Sequence, residues 1–114
     1  MTATTMRTYR VQATGQFASL VPAVSAQLRA KQAEHDLLLS AFTPEGTFSY
    51  SPSLTRFTLR YLLEVSEQSA AEADEAALIE GELLATHFLE SRSITHKPLT
   101  MSAVSLDDVK VRRR

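Results

Sequence analysis

The sequence predicts an α+β domain, a small antiparallel sheet with two helices laid on one of its faces, and three observations carry that expectation. From Arg56 to Val65 the chain alternates, with Phe57, Leu59, Tyr61, Leu63 and Val65 on one parity and Arg56, Thr58, Arg60 and Glu64 on the other. Successive side chains of a strand point to opposite faces, so this is a strand with one dry face and one polar face. Thr8 to Ala13 repeats the pattern, with Tyr9, Val11 and Ala13 opposite Thr8, Arg10 and Gln12. Two further segments carry apolar residues at helical spacing.

Taken in order, the first strand is expected over Thr8 to Ala13 and is ended by Gly15. Ser19 is a fitting N-cap for the first helix, and Pro22 falls in its first turn, where a missing N–H does little harm. Leu20, Val24 and Leu28 then recur every four residues, to about Ala33. Asp36 to Phe42 contains three consecutive leucines and is too short and abruptly bounded for another helix, which predicts a second strand. Thr43-Pro44-Glu45-Gly46 is a turn that folds the chain back into Thr47 to Ser51, either a separate strand or the near end of a bent one. Ser51-Pro52-Ser53 punctuates before the long strand.

Ser69 opens the second helix, with Glu72 at capping-box spacing and Glu72, Asp74 and Glu75 near the positive end of the helix dipole. At roughly 100° per residue, Ala73, Ala77, Gly81, Leu84 and Phe88 share an inward stripe opposite Glu75, Ile79, Glu82 and Thr86. Gly81 on that stripe permits close approach to the sheet. Ile94 to Met101 predicts the last strand, with Pro98 at an edge or bulge. The order of elements is that of a ferredoxin-like split β-α-β plan, an antiparallel sheet of four or five strands with two helices on one face. The polar face of Thr8, Arg10, Gln12, Arg56, Thr58 and Arg60 is then left open to water, a ligand or another copy.

Composition narrows the function classes. With 114 residues, 44% hydrophobic and 22% charged, the chain is expected to form one soluble domain over residues 1–114, with a core from about 6 to 104 and a basic tail from 105 to 114 that holds Lys110, Arg112, Arg113 and Arg114. It has no cysteine, so disulfides, thiolate metal sites and cysteine catalysis are excluded. The opening residues lack the apolar stretch of a secretory signal, and nowhere do about 18 apolar residues run together; cytoplasmic localisation is expected. A net charge of −1 speaks against binding a phosphate backbone, and the open strand faces offer Arg10, Gln12, Thr58 and Arg60 where an RNA-binding sheet would offer stacking aromatics.

No nucleotide loop, metal-ligand spacing or nucleophile array is present. His35, His87 and His96 are the groups that titrate near neutrality. His35 either caps the carbonyls of the preceding helix or is tuned by a carboxylate; His87 borders the buried stripe as a packing residue; His96 lies on the last strand beside Lys97. None of them stands at the i, i+4 spacing of a helical metal site, so neither a metal nor a cofactor is expected. Glu45 reads as a solvent-facing turn residue. Arg60, flanked by Thr58, either holds a carboxylate or enolate or forms a surface cross-strand ion pair with Glu64 or another acid.

Thr8-Tyr9-Arg10-Val11, Glu34-His35-Asp36, Ala41-Phe42-Thr43-Pro44-Glu45-Gly46 with Tyr50 beyond it, and Phe57-Thr58-Leu59-Arg60-Tyr61 together resemble a family of small actinobacterial proteins described as a domain of unknown function. The resemblance spans roughly residues 6 to 100. More widely, the architecture is similar to the dimeric α+β barrels, which implies a homodimer whose open sheet faces and inner helix surfaces line a pocket, with Arg10, Arg60, Tyr50 and His96 near it. Two functions follow as expectations. The first is binding of a small organic molecule, extending to a cofactor-independent cyclase, isomerase or oxygenase in specialised metabolism, with Arg60 stabilising charge, His35 or Tyr50 moving a proton, and Arg10, Thr58 and His96 contacting the ligand. The second is a non-catalytic module for self-association or partner recognition.

Overall fold

The computed structural model describes residues 4–35 and 41–106, His35 by its backbone alone. Strand β1 (Thr5–Gln16) leads to helix α1 (Pro22–Ala30) and a 3-10 turn (Gln32–His35). Strands β2 (Thr47–Tyr50) and β3 (Arg56–Glu67), helix α2 (Ala70–Ser91) and strand β4 (Thr100–Ser105) follow. The strands form one sheet in the order β2-β3-β1-β4, every neighbouring pair antiparallel. The fold class is therefore α+β, four antiparallel strands with two helices.

The alternation in β1 and β3 fixes the register of the centre. Tyr9 faces Leu63, Val11 faces Tyr61 and Ala13 faces Leu59, so apolar parity meets apolar parity through the centre of the pair, and toward the start of β1 Arg7 faces Val65. Phe57, Leu59, Tyr61, Leu63 and Val65 are all buried, as are Phe48 and Tyr50 of β2. A one-residue slip would put every one of these side chains on the wrong face, which is why the pairing is strongly specified. Phe17, Phe48, Tyr50 and Phe57 form a chain of tilted and edge-on ring contacts at one end of the core.

Helix α2 closes most of this dry face. Its buried stripe is Ala73, Ala77, Gly81, Ala85 and Leu89. At Gly81 a Cβ would lie 2.5 Å from Val11 Cγ1, so the small residue sets the distance between helix and sheet. The expected stripe passes through Leu84 instead of Ala85; Leu84 is 37% exposed, because small residues at 73, 77, 81 and 85 let the backbone itself approach the sheet. Ser69 is the N-cap and accepts from Glu72 N at 3.2 Å. The reciprocal half of the capping box differs: the Ser69 hydroxyl bonds the Glu72 carboxylate. Tyr9 Oη donates to Asp74 Oδ1 at 2.5 Å, tying β1 to the start of α2.

Several boundaries differ from expectation. β1 runs through Gly15, which pairs with Phe57, because the ring of Phe57 covers the space a side chain would fill. α1 is capped at Val21 instead of Ser19, without a side-chain bond, and ends at Ala30 instead of Ala33. Residues 36–40 of the expected strand over Asp36 to Phe42 lie outside the described residues, and Ala41 and Phe42 belong to no strand. Thr47 to Tyr50 is a strand of its own, opposite Arg60 to Phe57. The last strand begins at Thr100 instead of Ile94; residues 94–99 approach the sheet through a single bridge, His96 to Phe17. Pro98 cannot donate to a ladder and precedes the strand. β4 continues through the buried Ser105, the first residue assigned to the tail, and the basic residues from Lys110 onward lie outside the described residues. Among the described residues no helix is long and apolar enough to cross a membrane.

Candidate functional site

The end of the dry face that α2 does not cover is a groove of about 650 Å³ between α1, β2 and the C-terminal end of α2. Its position follows from how the two helices end. α2 stops in a Schellman arrangement: Ser93 N bonds Glu90 O at 3.1 Å and Ile94 N bonds Leu89 O at 2.9 Å, with Ser93 at φ 59°. That turn satisfies the last carbonyls of the helix, buries Ile94 and leaves Arg92 as the C-cap. Phe88, one turn earlier, packs against Phe48 with ring centroids 5.0 Å apart, and the Arg92 guanidinium lies 3.9 Å above the Phe88 ring.

The opposite wall is α1, which buries only Val24 and Leu28. It is held by Tyr50, whose hydroxyl donates to Leu28 O at 2.5 Å, and by the Gln32 side chain, which donates to Tyr50 O at 3.0 Å. Leu28 O is among the last four carbonyls of α1, where the helix ladder runs out, and among the described residues its one backbone partner is a long bond from Lys31 N at 3.3 Å. Tyr50 thus acts as a cap delivered from the sheet. Burial, and then the neighbouring Glu34 charge, push its phenol above the ordinary tyrosine value, so it stays a neutral donor. Burial raises Tyr61 as well, with Arg92 acting in the opposite direction, so the Arg92 charge is felt on the inner face. Lys31, the C-cap of α1, and Glu34 complete the charged lining.

The turn that precedes β2 shapes the floor. Gly46 N bonds Thr43 O at 3.1 Å and Thr43 Oγ1 at 2.9 Å, closing the expected turn through Pro44 and an exposed Glu45. Gly46 has φ 93°, and a Cβ there would stand 2.3 Å from Tyr61 Cε1, so both the backbone angle and the ring beneath require glycine.

The sequence-predicted site residues fall in four places. Arg10, Thr58 and Arg60 share the open sheet face. Arg60 Nε donates to Gln12 Oε1 at 3.2 Å, its cross-strand neighbour, in place of the expected pairing with Glu64. The guanidinium carbons of Arg10 and Arg60 each lie 5.7 Å from the centroid of the Phe42 ring, so Phe42 packs over the polar face. Thr58 borders a second concavity of about 500 Å³ together with Tyr50, Ser49 and Arg56, at the β2 edge of the sheet. Tyr50 lies on the other face, in the groove, and the sheet separates it from Arg60. His96 is half-buried at the end of the sheet, edge-on to Phe57 at 6.1 Å, with Nδ1 2.7 Å from Lys97 O. His35 closes the 3-10 turn. His87, expected to be semi-buried, is exposed.

Sequence reasoning missed Arg92, Phe88 and Lys31. The available signal was that each helix ends on a single cation one residue past its last turn. Among the described residues no group of three or more His, Asp or Glu is placed to hold a metal ion. The groove offers apolar walls, a committed phenol and opposed charges, which is a lining for binding. No curated protein and no solved structure matches the chain. The model of DUF6204, a family of unknown function, matches residues 1–114, and the chain belongs to that family.

Proposed function

We propose that this protein binds a small organic molecule in the groove between α1, β2 and the C-terminal end of α2. The observation that carries the reading is the groove itself: at about 650 Å³ it falls within the range of roughly 300 to 1,000 Å³ typical of small-molecule sites, and its lining is shared about evenly between apolar side chains (Val24, Leu28, Phe48, Phe88, Ile94) and polar ones. Binding without chemistry is favoured over a cofactor-independent reaction, because Arg60 and Tyr50 stand on opposite faces of the sheet and the Tyr50 hydroxyl is engaged by Leu28 O. A neutral fluorescent probe, phenylnaphthylamine, tests it. Its emission is expected to rise on addition of the protein and to fall back in Gln27→Trp, which places a bulky ring at the groove mouth from an exposed helix position. Equal emission from both proteins contradicts the assignment.

The topology supports a ferredoxin-like reading of the sheet. β3 lies between the two strands that flank α1, and β1 between the two that flank α2, as a split β-α-β plan requires. A homodimer through the open face is the companion proposal. Its support is apolar surface on a polar face: Val104 is 51% exposed, and Leu62 and Phe42 are half-buried beside Arg10 and Arg60. Light scattering is expected to give twice the chain mass for the native protein and the chain mass for Val104→Glu; a native monomer contradicts it.

A further inference from the structure

We infer that the groove selects an aromatic carboxylate, with the acid group held by Arg92 and the ring against Phe88 and Phe48. The inference rests on the groove being a ligand site and names the chemistry of its occupant. A cation at a helix C-cap ordinarily complements the helix dipole. The Arg92 side chain is not drawn into bonding the helix end, because Leu89 O and Glu90 O of α2 accept from the backbone N–H groups of Arg92, Ser93 and Ile94. The guanidinium lies over the Phe88 ring at 3.9 Å, and among the described residues it makes a long hydrogen bond, 3.4 Å, to the Ser91 hydroxyl. A guanidinium carries five donors in a planar fork that matches a carboxylate. The Phe88 face keeps that fork at the groove wall without consuming the donors.

Charge balance agrees. Among the described residues the lining carries two cations, Lys31 and Arg92, and one carboxylate, Glu34. Glu34 lies near the Tyr50 phenol, on the α1 side. Arg92 lies beyond Phe88, on the α2 side. Among the described lining residues the α1 side carries Lys31 and Glu34, whose charges offset, and the α2 side carries Arg92 alone, so an incoming acid is directed to the α2 side. The tilted Phe48 and Phe88 rings, 5.0 Å apart, offer an edge and a face to a flat apolar body.

The test is an NMR titration of the full chain with naphthoate and, in parallel, its neutral amide. The native protein is expected to bind the acid about tenfold more tightly than the amide, as one charge-assisted interaction provides. Arg92→Gln is expected to abolish the preference while keeping the affinity for the amide, and Arg92→Lys, which keeps the charge and loses the fork, to retain part of it. Equal affinity for acid and amide in the native protein overturns the choice of an acid and leaves the groove standing. A preference that survives intact in Arg92→Gln overturns the role of Arg92. Binding of neither compound overturns the groove itself.

Discussion

Helices α1 and α2 lie on the same face of the sheet and are built to different standards. α2 has 22 residues, a side-chain cap at its start, a Schellman turn at its end and a glycine that brings it against Val11. α1 has nine residues, no side-chain cap, no acidic residue in its first turn, and only Val24 and Leu28 buried. A helix this short has little intrinsic stability, so packing and tertiary tethers hold it. The difference teaches where the fold spends its burial: α2 seals the β1–β3 centre, and α1 stands off β2 far enough to leave a groove that Tyr50 and Gln32 span with hydrogen bonds.

The largest expected effect comes from forcing α2 to stand off as α1 does. Gly81→Val places branched carbon where Val11 already sits, and is expected to cost about 3 kcal/mol in denaturant unfolding. A loss below about 1 kcal/mol would mean that the close approach is not what fixes α2.

Next is the tether of α1. Tyr50→Phe removes the hydroxyl from Leu28 O and is expected to cost about 1 kcal/mol, with faster amide exchange confined to α1 and the 3-10 turn. The same residue gives a pH signature. Because burial raises the Tyr50 and Tyr61 phenols above their ordinary value of 10.0, the unfolded chain ionises first. Their stabilisation is complete below about pH 10 and is lost as the pH climbs from there through the raised folded values. Thermal stability is expected to fall above that point, and less steeply in Tyr50→Phe. An identical slope in the two proteins would remove Tyr50 from the explanation.

The smallest effects compare the two helix starts. Ser69→Ala is expected to cost about 1 kcal/mol through loss of the bond to Glu72 N. Val21→Ser, at a site 56% exposed with extended backbone, is expected to add about 0.5 kcal/mol by supplying the cap that α1 lacks. Both follow from chemical denaturation. Equal losses from the two substitutions would show that the α1 start is already satisfied in another way.

Much of this contrast was legible in the residues. The alternation of Phe57 to Val65 gives both faces of β3 directly, Ser69 with Glu72 marks the start of α2, and Thr43 to Gly46 marks the turn, because each is a local rule about adjacent side chains. Boundaries set by distant partners were not legible. Gly15 continues a strand since Phe57 shields it, and β4 starts at Thr100 since its register is taken from β1. The candidate site was split in the same way. Parity places Arg10, Thr58 and Arg60 together, as found. The groove arises from how far α1 stands from β2, a tertiary quantity with no signature in spacing, so Arg92, Phe88 and Lys31 were passed over.

The most direct measurement is an amide and methyl shift map of the isotope-labelled protein titrated with naphthoate. The groove assignment predicts saturable shifts at Val24, Leu28, Phe48, Phe88, Arg92 and Ile94, with Arg10, Thr58 and Arg60 unmoved. Shifts centred on Arg10, Thr58 and Arg60 with the groove silent would contradict it and move the site to the open face of the sheet.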